Sequence, residues 1–598
     1  MAEDVNTSLL GLLPEIILLC TAAVVLLMGL ARRDVLRRLT QWTAVIGVIV
    51  AFVAAYSNDV QSHTTALGTF LTLLTCGIGL LLLFSAWEMP FAMDPAHTDR
   101  HYRGEFFAML LCSLAGVSMM AKVNNLIWLF LALELVSIPT YIVVATGRGQ
   151  SEAQEAGIKY FFLGALSAAI YLFGFSYLYG FSGSTQFSAI TAVFQSDISR
   201  HQLPWMAILG LLLVLLGISY KIAAVPLHFY AADVYQGAAT PVTAFLSFAP
   251  KAAGFVAIIL LLGLTGWHFS SGPDVTIPAL LTVMAVLTMT IGNVLALLQR
   301  NIKRMFAYSS IAHSGYILAA LVAGPALVAG GGWAHDGVAA ALFYLAAYSL
   351  MTVGAFAALI YMQGKADGAE DIDDIAGISS EHPMTAACMA ICLLSLIGMP
   401  GTIGFLGKLF IVQADLSTGH WILAVFVVVN AAIAAAYYLR IIAAMYVREP
   451  WTPSHVRTTL APRFAAALCA AMVIGFGLAP SRLLSDIRHA ADYMAGSSGT
   501  VRLTVFKGRA KITSHFPTGS FGRGRRSSLL TDPLAGYARR SRLAGDQNSC
   551  VVKHEFIFAR PLKKDTAWST ARLLPPSPVL ERNPAVVALR MSARLIVR

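Results

Sequence analysis

Six side chains able to carry protons lie where an apolar chain has least reason to place them. Glu134 sits in NLIWLFLALELVSIPTYIVV, about ten residues from each end of an apolar run. At a rise of about 1.5 Å per helical residue, that puts the carboxylate near the middle of a bilayer. Ser137 and Tyr141 follow at i+3 and i+7, giving one polar stripe on an otherwise apolar helix. Lys221 and Lys251 lie in GISYKIAAVPLHFYAADVYQGAATPVTAFLSFAPK, the first just ahead of Pro226, the second inside the next apolar run. Lys408 closes the series in LLSLIGMPGTIGFLGKLFIV, behind Gly398, Pro400, Gly401 and Gly404. His228 follows the proline in VPLHFY, and His313 lies within AYSSIAHSGY.

These residue types suit proton transfer through a membrane. Intramembrane ionisable groups are costly and mark pathways for charged species. Lysine can exchange a proton, whereas arginine stays charged. Burial disfavours an ammonium and a nearby carboxylate favours it. A Glu134 that moves relative to Lys221 would therefore switch the lysine between holding and releasing its proton. Histidine titrates near neutrality and can relay protons. The plainer alternatives are a lysine that snorkels to an interface and a histidine hydrogen-bonded within a helix bundle. Three lysines, two of them beside helix breaks, favour a path. For Glu15, Glu105 and Lys159, near segment ends, interfacial solvation is the simpler expectation, as is snorkelling for Arg440.

The elements that must hold these residues are membrane helices. Of 598 residues 57% are hydrophobic and only 12% charged, with a mean hydropathy of +0.70. Soluble domains carry about 25% charged residues. Fourteen apolar segments are expected, over about 8–31, 40–58, 66–88, 105–121, 125–146, 158–181, 205–228, 241–264, 276–298, 304–328, 338–362, 385–413, 419–446 and 462–480. Runs of this length cross a bilayer as helices, and a barrel would show short alternating segments instead. The expected class is thus an all-α polytopic membrane protein. The acidic start MAEDVNTSLLGLLPEIILL lacks the basic region of a signal peptide, so it reads as the first spanning helix. Basic residues such as Arg32, Arg33, Arg37, Arg38, Arg300, Lys303 and Arg304 collect on one side, which is then cytoplasmic, with the N-terminus outside.

Segments seven and twelve are expected to be broken, at Pro226 and at Gly398–Gly404. Such breaks survive at membrane depth only where protein or water satisfies the freed backbone. Their separation by five segments suggests an inverted repeat of segments 4–8 against 9–13. The expected divisions are 1–104 (three helices), 105–264 and 265–446 (the repeats), 447–496 (a last helix) and 497–598 (a tail). No P-loop, dinucleotide fingerprint or metal-ligand set is present, and the seven cysteines form no CxxC pair. Energy must then come from an ion gradient or a partner subunit.

The tail differs in kind. Residues 501–598 hold 19 Lys and Arg against 5 Asp and Glu, a balance of +14 within a whole-chain +11, so the first 500 residues carry about −3. FGRGRRSS and LLPPSPVLERNP read as poorly structured. A genuine extension, read-through after a frameshift in the coding sequence, and a basic arm for anionic lipid or nucleic acid all remain open.

LALELVSIPTYIV, YKIAAVPLHFYAADVYQGAATPVTAFLSFAPKAAGF, NIKRMFAYSSIAHSGY and GMPGTIGFLGKLF resemble the subunit N family of bacterial proton-translocating NADH:quinone oxidoreductase, respiratory complex I. That family belongs to the antiporter-like group shared with subunits L and M and with multisubunit cation/proton antiporters. The resemblance covers roughly residues 8–490. It implies 14 helices in two inverted five-helix repeats with helices 7 and 12 broken. It also implies Glu134 and Lys221 as a charge pair, Lys251 as the central proton carrier and Lys408 on the outward branch. It implies no cofactor in this chain, with NAD, flavin, iron–sulfur clusters and quinone on partner subunits or at their interfaces. The implied partners are other membrane subunits, especially a neighbouring antiporter-like subunit and small membrane subunits, in the bacterial inner membrane, with no nucleic acid. The alternative is a cation/proton antiporter subunit without a redox partner, disfavoured because lysines rather than cation-coordinating carboxylates predominate. The tail departs from the family pattern. Deleting residues 500–598 should leave assembly and activity intact if the tail is unselected. Loss of the assembled complex on native gels would mark it instead as a partner-binding arm.

Overall fold

Helix begins in this chain wherever a capping side chain or proline precedes an apolar run. A computed structural model describes residues 10–57, 60–61, 64–87, 102–146, 151–198, 205–265, 267, 276–325, 336–363, 370–449 and 460–496, all within the unit Met1–Val505. The tail expected from residue 497 lies outside the described residues. The helices are α1 (Leu13–Leu30), α2 (Asp34–Tyr56), α3 (Ala66–Ser85), α4 (Tyr102–Met120), α5 (Leu126–Thr146), α6 (Ser151–Ser182), α7 (Phe187–Ile198), α8 (Trp205–Lys221), α9 (Ala231–Gly237), α10 (Thr240–Leu264), α11 (Thr276–Leu297), α12 (Ile302–Ala323), α13 (Gly337–Met362), α14 (Pro383–Ile397), α15 (Ile403–Ser417), α16 (Trp421–Val447), α17 (Leu460–Leu478) and α18 (Ser481–Gly496). Thr65, Asn301 and Asp336 cap α3, α12 and α13 through their side chains. Pro14, Pro241 and Pro383 open α1, α10 and α14, where a missing N–H costs nothing.

The protein is an all-helical, multi-pass membrane protein. Eleven of the described helices are long and apolar enough to cross a membrane, and α4, α7, α8 and α14 are shorter apolar helices. Each of the 14 expected segments coincides with a helix, and the twelfth coincides with the pair α14 and α15. Three helices were not anticipated: α7, α9 and α18. All are short, and α18 carries Arg482, Asp486 and Arg488 among its apolar positions, too polar to register as an apolar run.

Burial separates an inner layer from an outer one. In the most apolar stretches of α10 and α12, 94% of residues are buried, and in α13 all of them, against 33–44% for α1, α2, α6, α16 and α17. A helix apolar on every side belongs inside a bundle. The outer helices expose Val53, Phe162, Phe173 and Val428, side chains that suit contact with acyl chains. Lys251 and His313 are therefore carried by the innermost helices, α10 and α12.

Two backbone locks have the same pattern. Asn125 pairs with Gln186 and Asn301 with Asp371 as isolated antiparallel bridges. In the first, Leu126 N–H donates to Thr185 O at 3.0 Å and Phe187 N–H to Asn124 O at 2.9 Å; in the second, Ile302 N–H donates to Glu370 O at 2.7 Å and Ile372 N–H to Arg300 O at 3.2 Å. Both asparagines also cap a helix: Asn125 Oδ1 accepts from Trp128 N–H at 2.8 Å, and Asn301 Oδ1 from Arg304 N–H at 3.1 Å.

Close helix contacts depend on glycine. A Cβ on Gly29 would lie 2.7 Å from Gly104 Cα, and one on Gly217 would lie 2.7 Å from both the backbone nitrogen and Cβ of Tyr171. Ser167 Oγ seals the second contact by donating to Gly217 O at 2.7 Å. Gly217→Val should therefore force α6 and α8 apart at a cost of about 1–3 kcal/mol. A lower thermal midpoint of the purified complex checks this; an unchanged midpoint would show that the interface yields.

Candidate functional site

The polar side chains of the bundle are placed by helix ends and by the inner faces of α5, α10, α12 and α15. Lys221 is the last residue of α8, 4% exposed, with Nζ 3.2 Å from Glu134 Oε1 on α5. Ser137, one turn beyond Glu134, accepts a further hydrogen bond from Nζ, and Tyr171 of α6 donates to Glu134 Oε1. The i+3 serine of the sequence stripe thus touches the lysine. Tyr141, at i+7, leaves its hydroxyl unpartnered.

The chain beyond Lys221 leaves the helix, with Ala223 at φ 53°. Side chains satisfy part of its freed backbone. Ser314 Oγ donates to Ile222 O at 2.6 Å, Val225 N–H donates to Thr288 Oγ1 at 3.0 Å, and Tyr230 OH donates to Tyr220 O at 2.7 Å. His228 follows in the turn, half-buried, and its Nδ1 has no partner. It makes no side-chain hydrogen bond to the other five candidates.

Lys251, 3% exposed, has no carboxylate within ion-pair distance among the described residues. Its Nζ donates to Tyr235 OH at 3.1 Å. Tyr235 OH lies 3.4 Å from Ser310 Oγ, which lies 2.6 Å from Tyr348 OH. One turn along α12, His313 holds Tyr344 OH at 2.7 Å on Nδ1 and Tyr438 OH at 3.2 Å on Nε2. Ser309 in turn bonds Tyr438. Lys221 is near Lys251 as well: a Cβ on Gly254, on the turn of α10 following Lys251, would lie 3.3 Å from Lys221 Cβ.

Lys408 occupies the second interruption. Helix α14 ends at Gly398, which adopts φ 97°, and Lys408 Nζ donates to Leu396 O and Ile397 O, both at 2.9 Å. The ammonium lies 4.9 Å from the Tyr316 ring centroid, a cation–π distance. Tyr316 is three residues after His313 on α12, so Lys251, His313 and Lys408 are grouped around one helix. Among the described residues no three His, Cys, Asp or Glu side chains cluster to hold a metal ion.

Comparison with known proteins gives this geometry a family. The sequence profile described as NADH:quinone oxidoreductase/Mrp antiporter, TM, matches residues 123–434. NADH-quinone oxidoreductase subunit N of Paramagnetospirillum magneticum is 33% identical over 498 residues, 82% of this chain and 99% of the relative. The chain belongs to the NADH-quinone oxidoreductase subunit N family. Subunit N 1 of Solibacter usitatus is 41% identical over 402 residues, 67% of this chain and 78% of the relative. Among solved structures, a chain of Thermus thermophilus respiratory complex I with bound aureothin superposes with a TM-score of 0.63 at 27% identity, covering 79% of this chain and 98% of that one. As a subunit N family member, this chain is an antiporter-like membrane subunit of an oxidoreductase complex. The family favours that reading over a cation/proton antiporter without a redox partner.

The family member also buries charges that the sequence had not paired. Glu15, expected to be solvated at an interface, is 3% exposed. Lys122 lies 2.6 Å from its Oε1, and Ser118 donates to the same oxygen. The pairing joins residues 107 apart, and no local spacing announces it. Lys303 is wholly buried, 2.7 Å from Glu370 Oε1, and donates to Gln236 O at 2.7 Å and Ala238 O at 3.1 Å. Arg440, expected to snorkel, donates to Leu297 O at 3.2 Å. Lys122→Met should cost about 3–5 kcal/mol by leaving Glu15 buried and unpaired, with much of it recovered in Glu15→Leu/Lys122→Met. Thermal denaturation of the assembled complex reads both; a double variant that loses the sum of the two single-variant losses would mean that the ion pair does not couple.

Proposed function

We propose that this subunit translocates protons across the bacterial inner membrane, driven by quinone reduction elsewhere in NADH:quinone oxidoreductase. Glu134 and Lys221 form the gating pair, Lys251 and His313 carry the proton through the interior, and Lys408 passes it to the outer side. His228 serves as an auxiliary relay beside the first break. The observation that supports this best is the run of hydrogen-bonded groups from Lys251 through Tyr235 and Ser310 to Tyr348, with His313 one turn away and Lys408 beyond it. Each hydroxyl in the run both donates and accepts, so a proton can be handed on without a mobile charge resting on an apolar wall.

The gate works by electrostatics. With Glu134 at 3.2 Å, Lys221 keeps its proton. When the carboxylate withdraws, burial disfavours the ammonium and the proton moves toward Lys251. Among the described residues Lys251 has no carboxylate to hold it, so it can take a proton and give it up within one cycle. A shift of the Glu134 charge by a neighbouring subunit is enough to drive the cycle, and no cofactor in this chain is needed.

The architecture that goes with this function has 14 crossings with the N-terminus in the periplasm. Its repeats, 105–264 and 265–446, are inverted, each with one broken helix: α8 with α9, and α14 with α15. The matching locks at Asn125 and Asn301 support the repeat, because each caps the second helix of its half and bridges to the segment after the third. Three helices before the repeats, 1–104, and one after, 447–496, complete the membrane part. The partners are a neighbouring antiporter-like subunit and small membrane subunits, in contact with lipid and not with nucleic acid.

Lys221→Ala and Glu134→Ala should each remove most proton pumping from an assembled complex, and the double variant should lose less than the sum. NADH-driven acidification of membrane vesicles measures this; additive losses would argue against coupling. Lys251→Ala should abolish the contribution of this subunit with assembly intact. Normal pumping in that variant would take Lys251 off the path.

A further inference from the structure

The path above ends at Lys408, yet α15 buries one more ionisable group beyond it. Asp415 is 0% exposed, and neither Oδ1 nor Oδ2 has a hydrogen-bond partner. Among the described residues it is the one carboxylate with both oxygens buried and unpartnered. The other deeply buried acids are satisfied: Glu15 by Lys122 and Ser118, Asp336 by the Ala339 N–H. An isolated carboxylate in such a place is expensive, whereas a neutral carboxylic acid is tolerated. Asp415 is thus built to hold a proton rather than to answer a fixed cation.

Its place along α15 sets the direction. The buried stripe of the helix runs through Gly404, Lys408, Ile411 and Asp415, so the acid lies on the same face as Lys408, about 10 Å further along the axis. The next four residues, Leu416 to Gly419, are exposed. The helix closes there, with Asp415 O accepting from His420 N–H at 2.8 Å and from Thr418 Oγ1 at 3.2 Å. Asp415 therefore stands between the last lysine and the surface, about one helical turn below it. Gln413 Oε1, two residues earlier, is also buried without a partner.

We propose that Asp415 is a proton-binding site on the outward branch, receiving through water the proton that Lys408 releases and delivering it to the outer aqueous phase. This rests on the proton-translocating reading given above. An N–H bond of the Lys408 ammonium breaks, and an O–H bond forms on Asp415 through intervening water. That leaves a neutral amine and a neutral acid. The O–H bond then breaks toward outer water, giving hydronium outside and a carboxylate that the next proton from Lys408 neutralises. No oxidant or reductant takes part.

The test uses the whole complex in membrane vesicles, with Asp415→Asn, Asp415→Glu, Lys408→Ala and Lys251→Ala compared for protons moved per NADH oxidised. Asp415→Asn should fall to the level of Lys408→Ala, and Asp415→Glu should retain pumping. Infrared difference spectra between resting and turning-over complex should contain a carboxylic-acid carbonyl band that shifts in Asp415→Glu and is absent in Asp415→Asn. Full pumping in assembled Asp415→Asn overturns the proposal. If Asp415→Asn does not assemble, the native and Asp415→Glu spectra decide it, and absence of a shifting band overturns it. Loss of pumping in Lys251→Ala beside full pumping in Asp415→Asn defeats only the role of Asp415. Full pumping in both defeats the path as a whole.

Discussion

The constraint on which this structure depends is the cost of an ionised group inside a bilayer. Water is not there to solvate it, so each charge needs a partner from the protein or a way to become neutral. Among the described residues three buried lysines are met by carboxylates: Lys122 by Glu15, Lys221 by Glu134 and Lys303 by Glu370. Two buried lysines are not. Lys251 rests on a phenol and Lys408 on two carbonyls. The division is physical before it is functional. A lysine paired with a carboxylate has an opposite charge to meet it, while one facing only neutral dipoles has none. Paired lysines tie helices together, and the unpaired ones are poised, under the proposed function, to carry protons. Lys221 stands between the classes, because its carboxylate is 18% exposed and also accepts from Tyr171, while its ammonium also donates to Ser137.

The network between the poised groups is made of neutral hydroxyls. Tyr235, Tyr348, Tyr344 and Tyr438 come from three helices and converge on Ser309, Ser310 and His313 of α12. A phenol fills space as an aromatic and still ends in a donor and acceptor. The interior can therefore be packed tightly and still hold a continuous set of hydrogen-bonding groups. Stacking among Tyr160, Tyr220 and Tyr230, with centroids 4.2–6.1 Å apart, does the same packing work beside the Lys221 break.

How much of this the sequence disclosed follows from the range of each interaction. An apolar run and a lysine within it are local facts, so the membrane class, the buried Glu134, Lys221, Lys251 and Lys408 and the end of α14 were legible; α8 ends at Lys221, ahead of the expected break at Pro226. The Glu134–Lys221 pair, though distant in sequence, was legible because each charge demanded a partner. Glu15 was misread because its partner, Lys122, lies 107 residues away, and only the packing of α1 on α4 hides them together. The tyrosines were invisible for a different reason. In an apolar run a tyrosine reads as packing, and only its neighbours from other helices place it in a hydrogen-bonded network. Asp415 escaped because it lies near the end of a run, where an acid normally meets solvent. The helix α18 escaped because its polar residues broke the apolar signal.

Lys408 has one further consequence, which lies in the count of its hydrogens. It is the terminal clamp of α14, with one N–H on each of the last two carbonyls, Leu396 O and Ile397 O. An ammonium has three N–H bonds and a free amine has two. The two carbonyls use two, so the third hydrogen is the one the clamp does not need. Lys408 can therefore lose its charge while both carbonyls stay bonded and the helix end stays where it is. A hinge that would fray on losing a proton is turned into a fixed bracket, so under the proposed function the end of α14 keeps its place whichever form Lys408 takes.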